Sequence, residues 1–235
     1  MAATVSPYSV ATRDEATRGD FIVRVYQHLG LAVAAFVAFE ALLINLGAAE
    51  AFYDFLVSTG GAAWLLVLGG LIVVNWLATT AAHDLSNPSR QYGGLFALAG
   101  AEALIFAPFL HYFFEVETGG TTTVAAAAVI TLAGFAGLTA VAFTTRHDLS
   151  FIRPFLMWGG VCALVLILGA VLFGLELGVW FSVAMIALAG GSILYQTQTI
   201  IRRYPAEAHV GASVQLFASV MLLFWYVLRL VGQLR

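Results

Sequence analysis

The chain has 235 residues and no lysine; its ten basic residues are all arginine. Charge is scarce as well. Only 10% of the residues are Asp, Glu, Lys or Arg and 61% are hydrophobic, whereas a soluble domain carries about 25% charged residues. So few charges cannot cover a water-facing surface, and the mean hydropathy of +0.94 agrees. Soluble enzyme classes are excluded, and the chain reads as an integral membrane protein whose main partner is the lipid bilayer. The net charge of −3 says little about partners, because most of the surface faces lipid, and no nucleic-acid partner is expected. The single cysteine, Cys162, sits in an apolar run, which excludes a disulfide framework and a thiolate metal site. It reads as a small buried apolar residue. The missing lysine also removes one membrane class. A light-driven retinal protein of this size forms its Schiff base on a lysine in a membrane helix, and none exists here.

What is present is a series of seven apolar stretches, at about 21–46, 60–81, 91–113, 122–145, 151–173, 178–201 and 209–232. Each is near the ~20 residues needed to cross the hydrocarbon core. The breaks carry turn chemistry or charge, as in Ser86-Asn87-Pro88-Ser89-Arg90, Glu115-Val116-Glu117, Arg146-His147-Asp148 and Arg202-Arg203-Tyr204-Pro205. The expected architecture is all-α: a polar cytoplasmic tail over 1–20, then a membrane domain of seven helices over 21–235. The tail shows no signal-peptide pattern and reads as loosely ordered. The last stretch is dotted with Gly, Ser and Gln at its start and reads as the segment least suited to a plain crossing, buried or partly re-entrant.

Arginine placement predicts the orientation. Arg13, Arg18, Arg24, Arg90, Arg146, Arg153, Arg202 and Arg203 fall on one side, and Glu50, Asp54, Glu115, Glu117 and Glu176 on the other. By the positive-inside rule the N-terminus is cytoplasmic. After seven crossings Arg229 and Arg235 lie outside, a small exception. An echo links Thr79-Thr80-Ala81-Ala82-His83-Asp84-Leu85-Ser86 with Thr144-Thr145-Arg146-His147-Asp148-Leu149-Ser150. A duplicated helix pair would produce it, but so would a shared need for Asp and Ser as helix caps, which is the simpler reading.

Ionisable groups inside a membrane are candidate functional sites. Glu40 lies in the outer half of the first stretch and Glu102 well inside the third. Each reads either as a neutral acid bonded to a neighbouring helix or as a group lining a wet path, sensing pH or binding a cation. The sixth stretch carries Ser192, Gln196, Thr199 and Arg203 on one helical face, and the seventh carries Gly211, Gln215 and Ser219 spaced by four. Gln196 and Gln215 lie at matching depths, so the spacing lets the two amides meet across the hairpin. That contact is interhelical hydrogen-bond glue in the plain reading, and a polar pocket open to the cytoplasm in the sharper one. His28, His83, His147 and His209 all fall at the cytoplasmic face, on separate segments without paired spacing. They read as solvated interfacial residues and not as a metal site. His111 falls near the outer surface. Gly191-Ser192 lacks a nearby base for serine-protease chemistry, and no nucleophile–base pair, metal motif or cofactor loop is visible, so no enzyme is expected.

Four stretches together are familiar. Phe21-Ile22-Val23-Arg24-Val25-Tyr26-Gln27-His28-Leu29, Phe143 to Phe151, Ile193 to Ile201 with Leu194-Tyr195-Gln196-Thr197-Gln198, and Ala212 to Leu230 resemble, in order, the conserved motifs of the Bax-inhibitor (transmembrane Bax-inhibitor-motif) family, best in its bacterial, protease-associated YccA-like branch. The resemblance implies a compact seven-helix bundle with the last helix near its centre. It implies a role in calcium or proton-linked ion leak, stress tolerance or membrane-protein quality control, in the cytoplasmic membrane of a bacterial or archaeal cell. It places Asp148 in the family's junction motif before the fifth helix. It also implies a gating pair, two aspartates in the calcium-leak members, at Gln196 and Ser219. Neither of these ionises, so proton sharing between like charges is lost. The protease-associated branch has non-aspartate residues there too, including a serine. The leading expectation is a modulator of a membrane-bound ATP-dependent protease complex, contacted through the polar tail. The alternative is a calcium or cation leak channel, with Glu102 and Glu40 as the charged elements and Gln196, Gln215, Ser219, Thr199 and Ser192 along the path. No cofactor is expected; Ca2+ enters only as a transported ion.

Overall fold

The computed structural model describes residues 9–145 and 147–234, with the side chains of residues 61 and 62 left aside. Residues 1–8 of the expected tail, Arg146 of the junction motif and the terminal Arg235 lie outside the described residues. The described chain is helical: α1 (Glu15–Asn45), α2 (Ala48–Thr59), α3 (Gly61–Ala82), α4 (Pro88–His111), α5 (Gly120–Thr144), α6 (Arg153–Phe173), α7 (Val179–Arg203) and α8 (His209–Gln233). Seven of these, all but α2, are long and apolar enough to cross a membrane. The seven expected stretches therefore coincide with α1 and α3 to α8.

Three expectations shift or narrow. The chain from 47 to 60 forms the separate helix α2, whose 12 residues are too few to cross. Of the two alternatives for the last stretch, buried or partly re-entrant, the buried one holds. The α8 helix runs unbroken for 25 residues, about 38 Å at ~1.5 Å per residue. Its Gly, Ser and Gln positions pack against protein, and Gly211, Ser213 and Ser219 are buried. Finally, α1 begins at Glu15, six residues before the expected boundary, and the segment ahead of it is fastened down. Ser9 Oγ donates to the Arg202 carbonyl at 2.6 Å and the Val10 amide to the Tyr204 carbonyl at 2.8 Å. Cys162 is exposed on α6 and not buried.

The α8 helix is the centre. It packs against α1, α3, α4, α5 and α7, and fourteen of its residues are buried, Phe217, Leu216 and Leu228 fully so. Side-chain pairings fix the directions. His28 of α1 packs on Tyr92 of α4 and Phe36 on Phe106, while Phe106 packs on Phe224 and Trp225 of α8 and Phe113 lies beside Gly232, so these helices run parallel. Trp64 of α3 meets Phe109 of α4 in antiparallel register. One end of the bundle thus gathers Arg24, Arg90, Arg153, Arg202 and Arg203, and the other gathers Glu50, Glu115, Glu117 and Glu176. The α6 helix stands at the edge, packed on α7 and touching α3.

The two echoed junctions form the same local turn. Asp84 Oδ1 accepts from the Ser86 amide at 3.2 Å and Asp148 Oδ1 from the Ser150 amide at 2.9 Å. A third carboxyl, Asp14, caps α1 through Thr17. Hydrogen bonds from Thr17, Ser86 and Ser150 hold Asp14, Asp84 and Asp148 below the ordinary value of 3.8. A carboxyl whose pKa is depressed on folding stabilises the fold above its unfolded value, and that contribution disappears as pH falls through the folded value. Thermal unfolding in detergent should therefore drop in temperature as the pH falls below 3.8. The triple variant Asp14→Asn, Asp84→Asn, Asp148→Asn should flatten that acid limb; an unchanged limb would locate the acid sensitivity elsewhere.

Candidate functional site

A cavity of about 1310 Å³ lies between α3, α4, α6, α7 and α8. Most of its wall is apolar, as in Leu68, Ile105, Phe106, Ile167 and Leu222. Four of the expected site residues, Ser192, Gln196, Gln215 and Ser219, line it, and so does Glu102. Ser219 Oγ donates to Gln196 Oε1 at 2.9 Å, joining α8 to α7. The helix register sets the depth. Phe106 touches both Phe224 and Trp225, and α4 and α8 run parallel. One turn earlier, Glu102 therefore lies level with Val220 and Met221, beside Ser219. Glu102 and Ser219 sit near the midpoints of their helices, and Gln196 lies seven residues before the end of α7. Glu102 is 7% exposed and makes no hydrogen bond to the described residues. Its carboxyl faces a cavity whose central polar neighbours are an amide and hydroxyls.

The remaining expected residues fall elsewhere. Glu40 continues the buried stripe of α1 formed by Phe21, Val25, Leu29, Ala32 and Phe36. Neither of its oxygens has a hydrogen-bond partner among the described residues, and it does not line the cavity. Thr199 turns its hydroxyl back to the Tyr195 carbonyl at 2.8 Å and lies outside the cavity. The two amides do not pair. Gln196 takes Ser219 instead. Asp148 is the N-cap of the short 3-10 turn Leu149–Ile152 at the arginine-rich end.

That end holds contacts the sequence did not suggest. His28 and His83 are not merely solvated. Each sets Nδ1 2.7 Å from the carbonyl four residues earlier, so that nitrogen carries the proton. Each Nε2 then accepts from a phenol, Tyr92 for His28 at 2.9 Å and Tyr204 for His83 at 3.1 Å. Burial pushes the Tyr204 phenol up to about 12, so it remains a donor throughout the physiological range. No group of three His, Cys, Asp or Glu side chains is placed to hold a metal among the described residues. Two buried glutamines clamp the echoed turns. Gln91 Nε2 donates to the Asp84 carbonyl at 3.0 Å. Gln198 Nε2 donates to the His147 carbonyl, and Gln198 Oε1 accepts from the Leu149 amide, both at 2.6 Å. Gln198→Leu would leave the Leu149 amide without its partner, at about 1–3 kcal/mol where buried, while the His147 carbonyl keeps Arg202 Nη2 at 3.4 Å. A loss of about 2 kcal/mol in detergent unfolding is expected, and a change below 0.5 kcal/mol, the ordinary range for a surface substitution, would show the clamp to be idle.

Residues 18–235 match the family model for the inhibitor of apoptosis-promoting Bax1. The chain belongs to the Bax1-inhibitor family. The match takes in every spanning helix and the whole cavity. An uncharacterized protein of Pseudomonas aeruginosa is 31% identical over 151 residues, covering 63% of this chain and 66% of that protein. An uncharacterized membrane protein of Vibrio cholerae is 27% identical over 153 residues, covering 62% of this chain and 65% of its own length. The alignments thus span just under two thirds of these relatives. Within this family member, the paired positions indicated by the motifs, Gln196 and Ser219, are in direct contact, and no carboxylate stands at either.

Proposed function

We propose that this Bax1-inhibitor family member provides a slow pathway for cations, calcium among them, across a bacterial or archaeal cytoplasmic membrane, with its arginine-rich end on the cytoplasmic side. One observation carries the reading: Glu102 is the ionisable group at mid-depth in a cavity that also presents Gln196, Ser219, Gln215 and Ser192. A carboxyl inside a membrane is costly and is kept where it meets water, ions or partners. Calcium is held by oxygen ligands, and carboxyl, amide and hydroxyl oxygens converge at this depth. The Gln196–Ser219 hydrogen bond contains no titrating group, so it acts as a fixed latch narrowing the path and not as a proton-driven gate. Glu40, outside the cavity, has no part in conduction. The reading is of a transport protein and not an enzyme.

The test is calcium entry into liposomes holding the purified protein, followed with an internal indicator from pH 6 to pH 8. Entry above that of protein-free vesicles is expected. Entry equal to protein-free vesicles at every pH would refute the pathway.

The second reading is modulation of a membrane-bound ATP-dependent protease complex, with a role in stress tolerance and quality control. The non-ionisable Gln196–Ser219 pair favours it, because the protease-associated branch likewise lacks the aspartates. Its test is co-purification from native membranes, where recovery without any such protease would count against it.

A further inference from the structure

The cavity has a second property that cation passage does not require. Nine residues of α8 line it, and five of them are polar: Gln215, Ser219, Tyr226, Arg229 and Gln233. These follow one another at intervals of four, seven, three and four, so they share one helical face, with Ala218, Met221, Leu222 and Trp225 between them. From Gln215 to Gln233 the stripe runs about 27 Å, close to the ~30 Å of the hydrocarbon core. Membrane helices turn polar faces toward protein or water and not toward lipid tails. Here the stripe faces a space whose far walls, on α3 and α6, are mostly apolar, with Asn75, Thr79 and Arg153 as the polar exceptions. Ile72 of α3 and Met157 and Leu164 of α6 line the cavity, yet they are 55%, 62% and 47% exposed. The cavity therefore opens sideways between α3 and α6 into the surrounding hydrocarbon. Its arginine-rich end carries Arg153, which makes no ion pair among the described residues. Its other end carries Glu176 and Arg229, and Arg229 donates to the Leu177 carbonyl and lies over the Phe181 ring.

A polar track with a side door onto acyl chains suits one class of molecule. A phospholipid crosses a bilayer slowly because its headgroup must leave water and enter hydrocarbon unpaired. Hydrogen-bond partners spaced one to two turns apart lower that cost, while the tails remain in the membrane outside the α3–α6 opening. A guanidinium at each end matches the phosphate, which arginine binds through paired N–H donors. We infer that the groove between α3 and α6, floored by the polar stripe of α8, lets phospholipid headgroups pass between leaflets. This shares the cavity with the cation reading but not the species that moves.

The experiment uses the full chain in vesicles containing phosphatidylglycerol labelled with a fluorophore on its headgroup, and an impermeant reductant added outside. In protein-free vesicles the reductant bleaches only the outer leaflet. With the protein, bleaching of nearly all the label is expected. Two variants locate the route. Gln215→Leu with Ser219→Leu interrupts the stripe, and Gly160→Phe on α6 fills the groove, where a side chain at Gly160 meets nothing within 4 Å. Each should slow exchange at least about tenfold, with circular dichroism confirming intact helices. Bleaching that stops at the outer leaflet, or exchange unaffected by both variants, would overturn the inference. Calcium entry is read on the same vesicles. Exchange without calcium entry refutes the cation pathway alone, and calcium entry without exchange refutes the lipid track alone.

Discussion

Glu102→Gln, reconstituted beside the unmodified chain, is expected to lower calcium entry at least about tenfold. Glutamine keeps the shape and length of the side chain and removes only its capacity for charge. Two unit charges about 4 Å apart interact by ~4 kcal/mol at an effective dielectric of 20. A divalent ion passing a mid-membrane carboxylate gains more than that before its dehydration is counted. A net loss of only about 1.4 kcal/mol is already tenfold. Glu40→Gln supplies the contrast, because Glu40 is 4% exposed and does not line the cavity. Its calcium entry should match that of the unmodified chain. Equal losses in the two variants, or none at Glu102, would remove Glu102 from the path.

The second large effect is steric. An alanine at Gly94 would place its Cβ 2.5 Å from the Ala78 carbonyl oxygen and 3.0 Å from the Ala82 nitrogen. Both are backbone atoms of α3, so no side chain can turn away to make room. The whole α3 helix must retreat from α4, and overpacking of this kind costs about 1–3 kcal/mol. A marked fall in the unfolding temperature in detergent is expected, with a looser wall on the α3 side of the cavity. Gly93→Ala is the control. A Cβ there meets nothing within 4 Å, and alanine is the better helix former by about 1 kcal/mol. The two neighbouring substitutions should thus move stability in opposite directions. A shift of the same sign in both would mean that the α3–α4 contact is not the cause.

The spanning helices were legible because hydrophobic runs of about 20 residues have few alternatives in a chain so poor in charge. The α2 helix was not, because Glu50 and Asp54 break its apolar run and its 12 residues fall short of a crossing. Spacing placed Gln196 and Gln215 on neighbouring helices, but it did not reveal that Gln196 pairs with Ser219. Spacing fixes height along a helix, while the choice between Gln215 and Ser219 as the partner of Gln196 depends on how α7 and α8 are rotated against each other. The dotted start of α8 suggested a break, because small and polar residues at a helix end are read without knowing what packs on them. In the fold, Gly211 meets the Ala82 carbonyl and the His83 ring. The clamps by Gln91 and Gln198 and the Tyr204–His83 contact stayed hidden for a related reason. Gln198 acts 51 residues from His147, and Tyr204 acts 121 residues from His83. The family motifs pointed to positions 196 and 219 together, and those residues do touch.

The order of synthesis gives the central place of α8 a kinetic meaning. The ribosome makes the middle of this bundle last. Until residues 209–233 emerge, α1, α3, α4, α5 and α7 have no common core to pack on. Their α8-facing surfaces must wait against lipid or one another. The first segment waits almost as long, since Ser9 is held by the Arg202 carbonyl 193 residues downstream. At about 5–20 residues per second, that interval is on the order of 10–40 s, far longer than a helix needs to form. Assembly of this bundle is therefore paced by translation. A nascent chain arrested before position 209 would hold six spanning helices and an unfilled centre, and so be open to capture by the cell's membrane quality-control machinery.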